Sequence, residues 1–239
     1  MNGEAVAALA QELGGGCLPL KGDISDPLVV AGMISTIETH WLGRLDLLVN
    51  SADLLWSGNF EDQNQANVAT ILAVNNAGLA LCTHAAFPLL RRSAEAGGRP
   101  VVVNMSSASA VFGTPSLAVY SASKFWVRGF TEALAVEWAR HGIAVRDVMP
   151  SFVDTPMVRD GLQANRIRGK MGTNLTADQV AEEVCAAVSG GPLHRLVTVK
   201  LKILALLSRF LPAGLFRWRL AALGGYPLTG ATMPYTKSR

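Results

Sequence analysis

Along the chain, short apolar runs alternate with longer stretches of helical periodicity. The runs 17–21 (CLPLK), 45–50 (LDLLVN), 101–106 (VVVNMS), 143–149 (IAVRDVM) and 195–199 (RLVTV) are expected to be strands. Helices are expected over 3–13, 26–41, 64–92, 117–140 and 176–189. In the first of these, Val6, Leu9, Ala10 and Leu13 share one helical face, and Gly14, Gly15 and Gly16 end the pattern. The last begins with a capping box, Thr176 with Gln179 three residues on. Val101, Val102 and Val103 do not alternate with polar residues, which suits a strand covered on both faces. Strands alternating with helices imply an α/β fold with a doubly wound parallel sheet and right-handed crossovers. A core over 1–199 and an apolar C-terminal extension over 200–239, belonging to the same domain, are expected.

Composition narrows the classes. The chain has 239 residues, half of them hydrophobic, enough for one large α/β domain. A net charge of +3 with no basic–aromatic cluster gives no ground for nucleic-acid binding. Cys17, Cys82 and Cys185 are far apart and in no metal spacing; they read as small core residues of a reducing, cytoplasmic compartment. The four histidines are scattered, and no metal site is expected. The start, MNGEAVAALAQELGG, carries Glu4 and Glu12 and does not read as a signal peptide.

Candidate chemistry lies at the strand ends. Ligands of open parallel sheets bind beyond the carboxyl ends of the strands. Three such ends are small and polar here: Asn50-Ser51-Ala52, Ser106-Ser107 and Pro150-Ser151. Tyr120 and Lys124, in YSASK, are four residues apart on the following helix and so share a face. An ammonium beside a phenol favours the phenolate and lowers the tyrosine pKa from about 10. A phenol so tuned can exchange a proton with an alcohol near neutral pH. The Ser107 hydroxyl could hold the same substrate oxygen.

The stretch VVVNMSSASAVFGTPSLAVYSASK resembles the serine strand and Tyr/Lys helix of the short-chain dehydrogenase/reductase family. The likeness covers nearly the whole chain and implies a Rossmann-like fold. It implies that Ser107 orients the substrate carbonyl, Tyr120 is the acid/base, and Lys124 tunes Tyr120 and holds the nicotinamide ribose. PSFVDTPM resembles the segment after the sixth strand, which would set Pro150, Val153 and Thr155 along the nicotinamide. KGDISDP resembles the turn after the third strand and would place Asp23 and Ile24 near the adenine. The tetrapeptide Asn75-Asn76-Ala77-Gly78 spells a motif that in the family ends the fourth strand, yet here it falls mid-helix. The positional counterpart is Asn50-Ser51-Ala52-Asp53, with Asn50 and Ala52 expected at the cofactor and Asp53 in place of a glycine that admits close approach. VNNAGLALCTHAAFPLL resembles the fifth helix, so Asn75 is expected to be the fourth catalytic residue, relaying protons from Lys124 through water.

The family opens with a strand, a Gly-rich turn and a helix that cradle the pyrophosphate. The chain shows no such turn, and the sheet is expected to be N-terminally truncated by about two strands and their helices, roughly forty residues by the usual unit length. On this view 45–50 would expose an edge; a native chain beginning upstream of Met1 is expected, with a short form that pairs this edge with something else, or movement of 17–21 beside it, as the alternatives. The implied cofactor is NAD or NADP, with the choice unreadable. The implied reaction interconverts a carbonyl and a secondary alcohol on a hydrophobic small molecule.

The apolar segment 199–225 is interrupted by Arg209, Pro212 and Arg217, which argues against a transmembrane helix and for two amphipathic ones. It is expected to cover the substrate, with peripheral membrane contact through 200–223 as the alternative. A homo-oligomer through the helices at 64–92 and 117–140 is expected by family analogy. A non-catalytic binding or scaffold protein that has lost nucleotide binding is the alternative to the enzyme.

Overall fold

Four of the five apolar runs form one parallel sheet. The computed structural model describes residues 3–161 and 175–226. Strands β1 (Leu47–Asn50), β2 (Val101–Met105), β3 (Ala144–Met149) and β4 (His194–Leu196) lie in the order β1-β2-β3-β4. In register, Val49 pairs with Val103, Asn104 with Asp147, and Asp147 with His194. The helices are α1 (Gly3–Leu13), α2 (Pro27–His40), α3 (Gln65–Leu72), α4 (Leu79–Glu95), α5 (Ala118–Ala139), α6 (Pro156–Gly161), α7 (Ala177–Ser189), α8 (Val199–Phe210) and α9 (Ala213–Gly224).

Side-chain alternation along a strand builds two layers. On one face, Val102 and Val145 meet Ala86 and Leu90 of α4 and Leu134 and Trp138 of α5. On the other, Val101, Val103 and Val148 meet Val184 and Ala187 of α7. Helices on both faces make the doubly wound parallel arrangement, and the continuous valines of β2 are buried from both sides.

The run 17–21 is not a strand. Pro19 stands at its centre and has no N–H to give to a ladder. It neither pairs with β1 nor closes the edge, and β1 is the margin of the sheet with Leu47 and Val49 each 38% exposed. The expected helix over 64–92 is one helical run from Gln65 to Glu95. A π turn, Ala73–Gly78, separates α3 from α4 and buries Asn75, Asn76 and Gly78. The run is long and apolar enough to cross a membrane, but Ala86, Leu89 and Leu90 are committed to the core beneath it.

Two polar devices cross the layers. Asn50 donates to Thr83 Oγ1 (2.9 Å) and to Asn104 Oδ1 (2.8 Å), and Asn104 donates to Thr131 Oγ1 (3.0 Å). This ladder ties α4, β1, β2 and α5 together, with the buried amides satisfied. At the other margin, fully buried Asp147 meets His194 Nδ1 at 2.8 Å, while His194 Nε2 meets Glu132 at 2.9 Å. Burial works to depress the His194 pKa, but hydrogen bonds and charge from Asp147 and Glu132 outweigh it and hold the imidazole above its usual value.

A histidine with a raised folded-state pKa stabilises the fold fully below its unfolded value of 6.5, and that contribution is lost as pH rises through the folded value. The urea midpoint should therefore fall between mildly acid and mildly alkaline pH. In His194→Gln the fall across that window should be smaller, the remainder coming from Asp147, whose carboxyl burial holds above its usual value; an unchanged slope would remove His194 from the account.

Candidate active site

The carboxyl ends of β1, β2 and β3 open into one cavity of about 520 Å³. From the first end come Val49, Ser51, Asp53 and Leu55; from the second, Met105 to Ser109; from the third, Pro150 to Val153, followed by Thr155. The far wall is apolar and comes from α7, where Val180, Ala181 and Val184 face inward. Tyr120 is at the floor with Leu117, and both are buried.

Lys124 lies one turn along α5 from Tyr120 and is 2% exposed. Its ammonium donates to the Met105 carbonyl at 2.9 Å and pairs with Asp53 Oδ2 at 2.9 Å. The Tyr120 hydroxyl donates to that same Oδ2 at 3.2 Å. Asp53 thus bridges phenol and ammonium. The Lys124 Nζ also lies 5.4 Å from the centre of the Tyr120 ring, within cation–π range.

The expected activation of Tyr120 is reversed. Burial, then the charge of Asp53 and its hydrogen bond, push the phenol well above its ordinary value of 10.0, with the Ser107 hydroxyl acting the other way. The positive charge of Lys124, expected to act on the phenol, is paired with the same carboxylate that the phenol contacts. Tyr120 is therefore held as an acid, a donor rather than a phenolate.

Ser107 lines the cavity and caps the turn that follows it, accepting from Ser109 N at 3.2 Å. The loop beyond is braced by Ser109 with Thr114 (3.2 Å) and by Thr114 N donating to Ser121 Oγ (3.0 Å). Pro150, Val153 and Thr155 border the same cavity as Ser107 and Tyr120.

Other expected positions lie elsewhere. Asn50 turns away into the polar ladder and Ala52 does not line the cavity, whereas Val49, Ser51, Asp53 and Leu55 do. The chain stays extended past β1, so alternate residues face the site and the expected pair has the wrong parity. Asp23 is exposed and bonds Ser25, and Ile24 packs against Gly78 of the π turn; neither reaches this cavity. Asn75, expected to serve Lys124 through water, donates to Ser123 Oγ at 3.3 Å, one residue before Lys124. Its amide accepts from Leu54 N (2.8 Å) and donates to Leu54 O (2.9 Å), pinning the residue next to Asp53. Asn75 is thus a clamp on the β1 loop. In the C-terminal extension, none of the described residues lines the cavity; Leu201 and Phe216 pack behind Ala110 and Phe112 instead. The segment 162–174 and everything beyond 226 lie outside the described residues.

Sequence reasoning flagged Asp53 as bulk and charge but missed that it reaches both Tyr120 and Lys124. It also missed the α7 wall, although Val180 and Val184 are one turn apart behind the Thr176 cap.

Removing the Asp53 charge should lower the Tyr120 pKa. In Asp53→Asn, tyrosinate absorbance should grow in at lower pH than in the unaltered chain, and Tyr120→Phe isolates the signal from the other tyrosines. Superimposable titrations would show that Asp53 does not govern the phenol.

Comparisons with known proteins place this geometry. A model of the short chain dehydrogenase family matches residues 1–166. An uncharacterized oxidoreductase of Thermotoga maritima is 34% identical over 163 residues, covering 68% of this chain and 61% of that one. D-threitol dehydrogenase of Mycolicibacterium smegmatis is 33% identical over 160 residues, covering 66% and 60%. The chain thus spans about three fifths of the length of these relatives. The crystal structure of 3-ketoacyl-(acyl-carrier-protein) reductase from Brucella melitensis, complexed with NADH, superposes with a TM-score of 0.71 at 26% identity, over 82% of each chain. A short chain dehydrogenase from Burkholderia cenocepacia, complexed with NADP, shares the fold with a TM-score of 0.73 at 23% identity, over 87% of this chain and 80% of that one. With its family match extending over more than half its length, the chain belongs to the short-chain dehydrogenase family.

Proposed function

We propose that the protein is an NAD(P)-dependent oxidoreductase that interconverts a carbonyl and a secondary alcohol on a hydrophobic substrate. The observation that carries this reading is the buried Tyr120, its hydroxyl donating to Asp53 and set beside Ser107 at the floor of an apolar cavity. Relatives support the alcohol chemistry but differ in substrate polarity: one is named a D-threitol dehydrogenase, and a Mycobacterium bovis relative, 34% identical over 156 residues, a 3-alpha-(or 20-beta)-hydroxysteroid dehydrogenase.

The residues present fit a nicotinamide at one end. Pro150, Val153 and Thr155 would hold it against the wall facing Tyr120. Lys124, the expected ribose ligand, is engaged by Asp53, which makes Asp53 the residue that limits binding. When bound, the cofactor supplies or accepts the hydride; the chain supplies position and the proton. Ser107 and Tyr120 hold the substrate oxygen, and Tyr120 gives its proton to the oxygen as charge develops there. A phenol kept protonated by burial and by Asp53 rests in the form needed for carbonyl reduction. Phe112, Val158, Val180 and Val184 exclude water and favour an apolar body on the substrate.

The exposed Phe125, Trp126 and Val136 of α5 support a homo-oligomer through that helix; the cysteines, expected as small core residues, are exposed at Cys17 and Cys185 and half-buried at Cys82, and a reducing, cytoplasmic setting rests on their being unpaired. The Asp53–Lys124 pair also favours a second reading, a binding protein without turnover.

Tyr120→Phe should lower reduction of apolar ketones by about 10²–10⁴-fold, the usual share of general acid catalysis. Its thermal midpoint should barely move; retained turnover would reject Tyr120 as the acid. Asp53→Gly should free Lys124 for a charge-assisted hydrogen bond worth about 1.5–3 kcal/mol, tightening NADH or NADPH binding roughly ten- to hundredfold. Energy transfer from tryptophan to the bound nicotinamide reads this. No saturable binding in either form would favour the binding protein.

A further inference from the structure

The helix α8 has two apolar faces, and the fold uses one. Leu201 is buried and packs with Leu204, Leu220 and Phe216 against Ala110, Phe112 and Met149. On the outer side, Val199, Ile203, Leu206, Leu207 and Phe210 are 47–79% exposed. At 100° per residue these five fall within an arc of about 100°. Lys200 and Lys202 flank that arc, one on either side, and both are exposed. The neighbouring α9 adds exposed Leu215 and Trp218 with Arg217 and Arg219 beside them. From Val184 to Arg239 the sequence carries no Asp or Glu.

We propose that the outer face of α8, extended by Trp218 of α9, docks on the surface of an anionic lipid membrane. An apolar stripe bordered on both sides by lysines lets the stripe sink among acyl chains while the ammonium groups stay at headgroup level. The charge excludes self-association as the occupant: two copies meeting through this face would set lysines against lysines with no carboxylate between them. A helix only 12 residues long lies on a membrane and does not span it. The inner face of the same helix backs Phe112, whose ring lies 5.7 Å from that of Phe216 and which lines the active cavity. Docking therefore brings the apolar wall of the cavity to the lipid boundary.

Co-sedimentation of the full chain with phosphatidylcholine vesicles, with and without phosphatidylserine, tests this. Binding should require phosphatidylserine and weaken with salt. Lys200→Gln with Lys202→Gln should weaken it about fivefold for each charge removed. The double variant Leu206→Glu, Phe210→Glu should abolish it while leaving the circular dichroism melt unchanged, since both side chains point outward. Leu28→Glu, at an exposed leucine remote in sequence, should leave binding intact. A chain that stays in the supernatant with anionic vesicles overturns the proposal. So does binding indifferent to the two glutamates, or a dimer in size-exclusion chromatography that those glutamates dissolve.

Discussion

Where the Lys124 ammonium directs its charge decides what the rest of the site can do. A buried cation is costly unless it is paired and hydrogen-bonded. Lys124 meets that demand with the Met105 carbonyl and the Asp53 carboxylate, both at 2.9 Å. With Asp53 in place, the carboxylate stands between them and Tyr120 becomes a donor. Burial and this carboxylate together hold the phenol above its ordinary value. Asn75 matters because it fixes that side chain's backbone: both its amide atoms bind Leu54, so the loop carrying Asp53 cannot readily withdraw.

The sheet explains why these groups meet at all. In a parallel sheet all carboxyl ends point one way, so residues far apart in sequence converge at a single mouth. Asp53, Ser107 and Pro150 follow three neighbouring strands, and Tyr120 and Lys124 stand on the helix that crosses from β2 to β3. Precision comes from the buried polar ladder. Asn50 and Asn104 are register partners, and their amides run from α4 through both strands to α5. A slip of one residue would break the whole chain of bonds, so the ladder sets the height of α5 against the strand ends.

Much of this was legible in the sequence because the signals were local. Four strands and the helices of the core follow from apolar periodicity, and Thr176 caps its helix with Gln179 as the spacing predicts. Tyr120, Lys124 and Ser107 were found because a helical turn and a strand end are short-range geometry. What was not legible depended on pairing and parity. The run 17–21 has a strand's composition but a proline where a ladder needs a donor. Asn50 and Ala52 were chosen by motif, whereas the extended chain presents their neighbours. The direction of the Tyr120 shift needed the distance from Asp53 to two groups more than sixty residues away, which no local pattern contains.

The contrast between the cavity's two walls then shapes what it accepts. The α7 side offers Val180 and Val184, and the loop side adds Phe112 and Leu117, so most of the lining gives no hydrogen bond. Water displaced from such a wall loses little, and an apolar body that fills it gains contact. The same exclusion of water lowers the local dielectric and strengthens the coupling among Asp53, Lys124 and Tyr120. A bound molecule that lacked an acceptor would leave the Ser107 and Tyr120 hydroxyls facing hydrocarbon, a cost of roughly 1–3 kcal/mol for each group denied a partner. Under the proposed function, apolar bulk with one well-placed oxygen would satisfy both walls. On the proposed reading, selection would rest on two hydroxyls at the floor of an apolar cleft, one of them held as a donor by burial and by Asp53.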